Sequence, residues 1–115
     1  GFIAEHEQDA AMQPYLAGVK RSVEALQGAT LWLAANGPKN PDDAGAGATD
    51  YLRLMGIAML AFLWAKMAKV SLGKDGELHK GKRMCARYWM ERMVPECPML
   101  LERIQAGSAT IMEME

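Results

Sequence analysis

Residues 50–69, DYLRLMGIAMLAFLWAKMAK, decide how this chain must fold. The twelve residues from Leu54 to Ala65 carry no charge, and only Gly56 lies outside the hydrophobic set. Such a run is shorter than the roughly 18 apolar residues that argue for a membrane span and too long for an ordinary strand. It therefore predicts a buried central helix. Charge resumes at Arg53 on one side and at Lys66 and Lys69 on the other, so helices on more than one side are expected to cover the middle.

Upstream, Asn40 precedes Pro41, Asp42 and Asp43, which joins a capping side chain, a first-turn proline and two carboxylates at the positive end of a helix dipole. A helix from about Pro41 to about Leu72 would be roughly 48 Å long, weakened at first by Gly45 and Gly47 and ended by Gly73. Before it, Leu16, Val19, Val23, Leu26, Thr30 and Leu33 recur at steps of three and four, the mark of one helix face. That helix begins around Pro14, as a first-turn proline or a kink, and stops at Asn36-Gly37-Pro38. Downstream, Asp75-Gly76 reads as a turn and Glu77 to Val94 as a third helix. Pro95 breaks it, MLLERIQA continues it to a stop at Gly107, and Ser108 caps a last short segment. In that tail Ile111, Met112 and Met114 are expected to pack. The predicted fold is all-α: an antiparallel helical bundle of three long helices, the third broken at Pro95, plus a short C-terminal helical segment. No repeat, low-complexity linker or credible strand interrupts it.

A length of 115 residues suits one domain, 1–115, able to fold without staples. Thirteen basic against 14 acidic residues make no global field for nucleic acid or an anionic membrane, so neither is an expected partner. Cys85 and Cys97 form no CxxC pair, which suits a reducing compartment and makes the cytoplasm the expected location. No secretory signal pattern opens the chain. It starts Gly1-Phe2-Ile3 with helical pattern close behind, as expected of an excised piece whose catalytic parts lie upstream.

Chemistry-bearing patterns are few. The glycines of AGAGATD lack the lysine and hydroxyl of a phosphate loop and read as small residues at a close helix approach. His6, His79, Cys85 and Cys97 include no two at ligand spacing on one helix turn, so no metal is expected. The one candidate site is the basic segment His79, Lys80, Lys82, Arg83 and Arg87, in which His79, Arg83 and Arg87 share a stripe beside Tyr88 and Trp89. Arginine forks there could meet carboxylates or phosphates; a solvated helix face is the plainer reading. Ten methionines, including Met55, Met59, Met67, Met84, Met90 and Met93, suggest either an adaptable binding groove or, more simply, core packing.

Four segments in order, AGAGATDYLRLMG (44–56), LWAKMAKVSL (63–72), ARYWMERMVPE (86–96) and ERIQAGSATIM (102–112), resemble the extra C-terminal helical domain of a long-chain-length branch of the acyl-CoA dehydrogenases. That branch includes methylthiopropanoyl-CoA dehydrogenase-like enzymes. The likeness covers nearly everything after about Asp9, with Pro98 as one departure. It implies a parent flavoenzyme that removes hydrogens from the α and β carbons of an acyl-CoA thioester, using a glutamate base and FAD. Both belong to the upstream core, so no catalytic or cofactor residue carries over to this fragment. The implied partners are the dehydrogenase core of the same chain or a neighbouring subunit, with acyl-CoA as the parent's substrate and a homo-oligomeric parent. His79, Lys80, Arg83 and Arg87 become a possible interface or contact with coenzyme A phosphates. The rival expectation is a free-standing helical protein-interaction or oligomerisation module.

Overall fold

The computed structural model describes residues 10–110. A 3-10 turn at Ala10–Met12 leads into α1, Gln13–Asn36, and Pro14 sits in the first turn, where its missing N–H costs nothing. The buried face of α1 is Tyr15, Leu16, Gly18, Val19, Ser22, Ala25 and Ala29. This is the expected stripe turned by part of a step: Leu16 and Val19 are buried, Val23, Leu26 and Leu33 half-buried, and Thr30 exposed. The small residues take the centre because the neighbouring helices come closest there. Buried Ser22 meets its polar requirement locally, donating to the Val19 carbonyl at 2.9 Å.

The second helix, α2, spans Pro41–Ser71 and starts as its sequence dictates. Asn40 is extended, its side-chain oxygen accepts from the Asp42 N–H at 3.1 Å, and Pro41 opens the first turn. Asp43 does more than face the dipole. Its Oδ1 accepts from both the N–H and the hydroxyl of Ser108, each at 2.8 Å, so the far end of the fold is tied to the start of α2. At the other end, Gly73 (φ 72°) and Gly76 (φ 112°) turn the chain in the left-handed region, where a side chain would be strained.

The third helix is bent, and the bend begins before its proline. After α3, Glu77–Tyr88, the backbone widens into one π-helical turn at Trp89–Met93 and restarts as α4, Glu96–Gln105. Pro95 cannot donate to the preceding turn, and the slack is taken up by the Val94 N–H reaching Trp89 O at 3.0 Å, five residues back. The wide turn aims Trp89 at α2, where its Nε1 donates to Ile57 O at 3.1 Å. Its neighbour Met90 presses on α1 at Gly18. From α4, Cys97, Leu100 and Ile104 complete the core at steps of three and four. Gly107 (φ 72°) ends this stretch, and Ser108 precedes helical Ala109 and Thr110. Ile111, Met112 and Met114, expected to pack, lie outside the described residues, as does His6.

Along α2 the contacts pass from one partner to the next. Tyr51 shares a 2.7 Å hydrogen bond with Thr30 of α1, and Gly47 lies beside Ile104 of α4. Further on, Ala58 and Phe62 border Val23 and Leu26, and Ser71 meets α3. The buried positions of α2 are Gly47, Leu54, Ile57, Ala58, Ala61, Ala65, Ala68 and Ser71, mostly small residues.

One expectation is overturned. The apolar run is not wholly hidden: within it Met59 is 59% exposed, Leu60 42% and Leu63 48%, and beyond its ends Leu52 and Val70 are 67% and 58% exposed. The fold measures 57 × 26 × 14 Å, and the helices packed on the small-residue face leave the opposite face of α2 uncovered.

A Gly18→Ala variant tests the α1 to π-turn contact. An added Cβ would stand 2.2 Å from the Met90 sulfur and 3.1 Å from its Cβ, so the side chain cannot simply swing its tip away. A loss of about 1–3 kcal/mol is expected in chemical denaturation. Gly45→Ala, with nothing within 4 Å of the new methyl, should gain about 0.5–1 kcal/mol.

Candidate functional site

The basic segment divides into two parts with different work. Arg83 turns inward and its Nη1 donates to the carbonyls of Ser71 and, at 3.0 Å, Lys74. The Ser71 carbonyl ends α2 and also accepts from the Lys74 N–H at 3.2 Å, so the guanidinium adds a second donor at the negative end of the α2 dipole and fastens the turn that follows it. His79 joins it, with Nδ1 3.3 Å from the hydroxyl of buried Ser71. Lys80 is exposed.

Arg87 lies further along α3, paired at 3.4 Å with Glu91, both side chains about two-thirds exposed. It borders two shallow clefts, one of about 140 Å³ shared with Tyr15, Gly18, Arg21 and Met90, the other of about 230 Å³ shared with Met84, Tyr88 and Arg92. The stripe His79, Arg83, Arg87 is therefore not one surface: two members close the α2–α3 corner and the third is displayed beside Arg21. Among the described residues no three His, Cys, Asp or Glu side chains come together as a metal site.

A second feature is the outer face of α2. Leu52, Met59, Leu60, Leu63 and Val70 are all exposed. Beside them runs an apolar groove of about 280 Å³ lined by Val23, Leu26, Ala58, Met59, Phe62 and Leu63. A hollow of about 370 Å³ at Leu26, Gln27, Thr30 and Leu31 adjoins it through Leu26. A contiguous patch of this kind marks an interaction surface more often than a bare monomer face. By length and composition alone α2 could also cross a membrane, a test that the core helix of a soluble protein passes too. Sequence reasoning saw the run but read it as core. The signal that separates the two faces was present: alanines 58, 61, 65 and 68 fall on one side with Leu54 and Ile57, and Leu52, Met59, Leu63 and Val70 on the other. The methionines divide likewise, Met12 and Met90 being buried while Met59, Met84 and Met99 are exposed.

Two ion pairs lock α2 to α4. Arg53 donates through Nε and Nη2 to both carboxylate oxygens of Glu96, the second at 2.9 Å, and Arg103 meets Asp50 at 3.1 Å. Arg53's hydrogen bonds hold the Glu96 carboxyl below the usual range against the opposing effect of burial, and the same contact raises the Arg53 guanidinium. Next to it, burial pushes the Cys97 thiol up to about 11, with the Glu96 charge adding and Arg21 opposing. Cys85 is exposed.

The fold and its surfaces define a small all-helical domain, stapled by charged residues at its corners and apolar along one outward helix. The chain belongs to the acetyl-CoA dehydrogenase C-terminal-like family, whose model matches residues 1–115. It is thus a helical accessory domain of acyl-CoA dehydrogenases. No curated protein matches it as a relative.

Three outcomes follow. Arg83→Ala should lower stability by about 1–2 kcal/mol through the lost bonds to the Ser71 and Lys74 carbonyls, whereas Lys80→Ala should stay within about 0.5 kcal/mol in the same denaturation assay. Glu96, with its pKa lowered by folding, contributes stability above the ordinary glutamate range of about pH 4.3 and loses it as pH falls through the folded value. The stability gap between wild type and Glu96→Gln at pH 7 should therefore close on acidification. A thiol reagent should modify Cys85 quickly in the native chain and Cys97 only on unfolding.

Proposed function

We propose that this domain serves packing and assembly in an FAD-dependent acyl-CoA dehydrogenase and does not carry the catalytic base. The observation that carries the reading is the uncovered apolar face of α2 in a chain of this family. A helix apolar on both sides calls for a second packing partner, and a dehydrogenase core or a neighbouring subunit would supply one. The resemblance to methylthiopropanoyl-CoA dehydrogenase-like enzymes suggests the branch. FAD, which takes up the hydride from the β carbon of the thioester, is not matched by the clefts described among residues 10–110. The four clefts described above are shallow, the largest about 370 Å³, and they are lined by apolar groups or by Arg87 and its neighbours. No step of the reaction is assigned to its residues.

Within this reading, exposed Lys80 and Arg87, the latter in a solvent-exposed pair with Glu91, face carboxylates of a core or coenzyme A phosphates, because His79 and Arg83 are engaged at the α2–α3 corner. The free thiols of Cys85 and Cys97 support a reducing, cytoplasmic setting, and the near-balanced charge argues for no nucleic-acid or membrane partner.

The test is the visible spectrum of the product of the complete open reading frame, recorded without oxygen before and after a panel of acyl-CoAs. Flavin absorbance bleached by one thioester is the expected result. A short, colourless product would overturn it in favour of a free-standing helical interaction module.

A further inference from the structure

Four of the five exposed large residues of α2 fall on one line, with Leu60 to its side. Leu52, Met59, Leu63 and Val70 follow steps of seven, four and seven, the spacing of a helix-pairing seam, and all four face away from the alanine side. The stripe is also symmetric about the level of Ala61: Met59 and Leu63 lie two residues to either side and Leu52 and Val70 nine. Gly56 and Lys66 lie five to either side, and Gly56 has nothing within 4 Å of the place a Cβ would take.

We propose that this stripe is a self-complementary interface on which a second copy of the chain docks, its α2 running in the opposite direction about a two-fold axis level with Ala61. Reversal maps the stripe onto itself, as a two-fold interface requires. Leu52 then packs on the partner's Val70, Met59 on the partner's Leu63, and the aliphatic stem of the partner's Lys66 lies across the hollow at Gly56. The seam is about 27 Å long at 1.5 Å per residue. Its charges do not oppose it. Arg53 and Asp50 are engaged with Glu96 and Arg103 of their own chain, and Lys66 at the edge of the seam holds its ammonium over its own Phe62 ring, 4.9 Å from the centroid. The groove shared by Met59 and Leu63 borders the seam, so the partner helix covers it as well. This inference rests on the assembly role proposed above and names the partner, but it requires neither flavin nor acyl-CoA.

Sedimentation equilibrium of the 115-residue chain in a Cys85→Ser background, over a dilution series, should show a monomer–dimer equilibrium. Leu63→Glu should raise the dimer Kd at least about 100-fold, since each dimer loses two buried leucines worth tenfold or more apiece. Its helical circular dichroism should not change, because residue 63 is exposed in the single chain. On oxidation, Leu52→Cys copies mixed with Val70→Cys copies should cross-link to each other, while neither should link to itself across about 27 Å. A chain monomeric throughout, a dimer indifferent to Leu63→Glu, self-linking of Leu52→Cys, or a monomer that instead pellets with phosphatidylcholine vesicles would each overturn the proposal. The two readings fail separately. A flavoenzyme with a monomeric domain removes only the dimer, and a colourless product that dimerises through α2 removes only the flavoenzyme.

Discussion

Close approach of the other helices to the small-residue face of α2 is the constraint on which the rest depends. Gly47, Ala58, Ala61, Ala65, Ala68 and Ser71 form a shallow seam, and larger residues there would push α1 and the α3–α4 arm outward. Their partners are small as well. Gly28 of α1 would place an added methyl 3.3 Å from Leu101, and Gly18 has no room for one at all beside Met90. The largest fully buried residues, Met12, Leu54, Leu100 and Ile104, fill the space that these small ones leave.

The polar residues of the fold mostly hold its ends. Asp43 ties Ser108 to the start of α2, Arg83 closes its carbonyl end, and Arg53 and Asp50 fasten α4 along one side. In each case a charged or hydrogen-bonding group sits where backbone donors or acceptors run out, or where two helices would otherwise slide. No buried side-chain polar atom among the described residues lacks a partner. The chemistry most visible in the sequence, the histidine and arginines of α3, is therefore largely architectural. What remains to meet other molecules is an apolar helix face and a few exposed cations.

That division accords with an accessory domain. Among the described residues the groups with shifted pKa are an ion pair between two helices and a thiol sealed in the core. The face that is costly to leave in water is the broad outer side of α2.

Much of this architecture was legible in the chain alone. Asn40-Pro41 marked the start of α2, Gly73 and Gly76 its end, and Pro95 the break in the third helix, because capping, positive φ and a missing N–H are local properties that a residue carries wherever it is. The π turn at Trp89–Met93 was not legible, since it arises from fitting Trp89 to Ile57 and Met90 to Gly18 at once, a compromise between two other helices. Nor was the inward turn of His79 and Arg83, which depends on where the end of α2 comes to rest against α3. The sequence by itself determined that residues 54–65 form an apolar helix requiring cover. Only the tertiary structure decided which side receives it, because helix packing favours the face of least bulk: the alanines turned inward and Leu52, Met59, Leu63 and Val70 were left facing out.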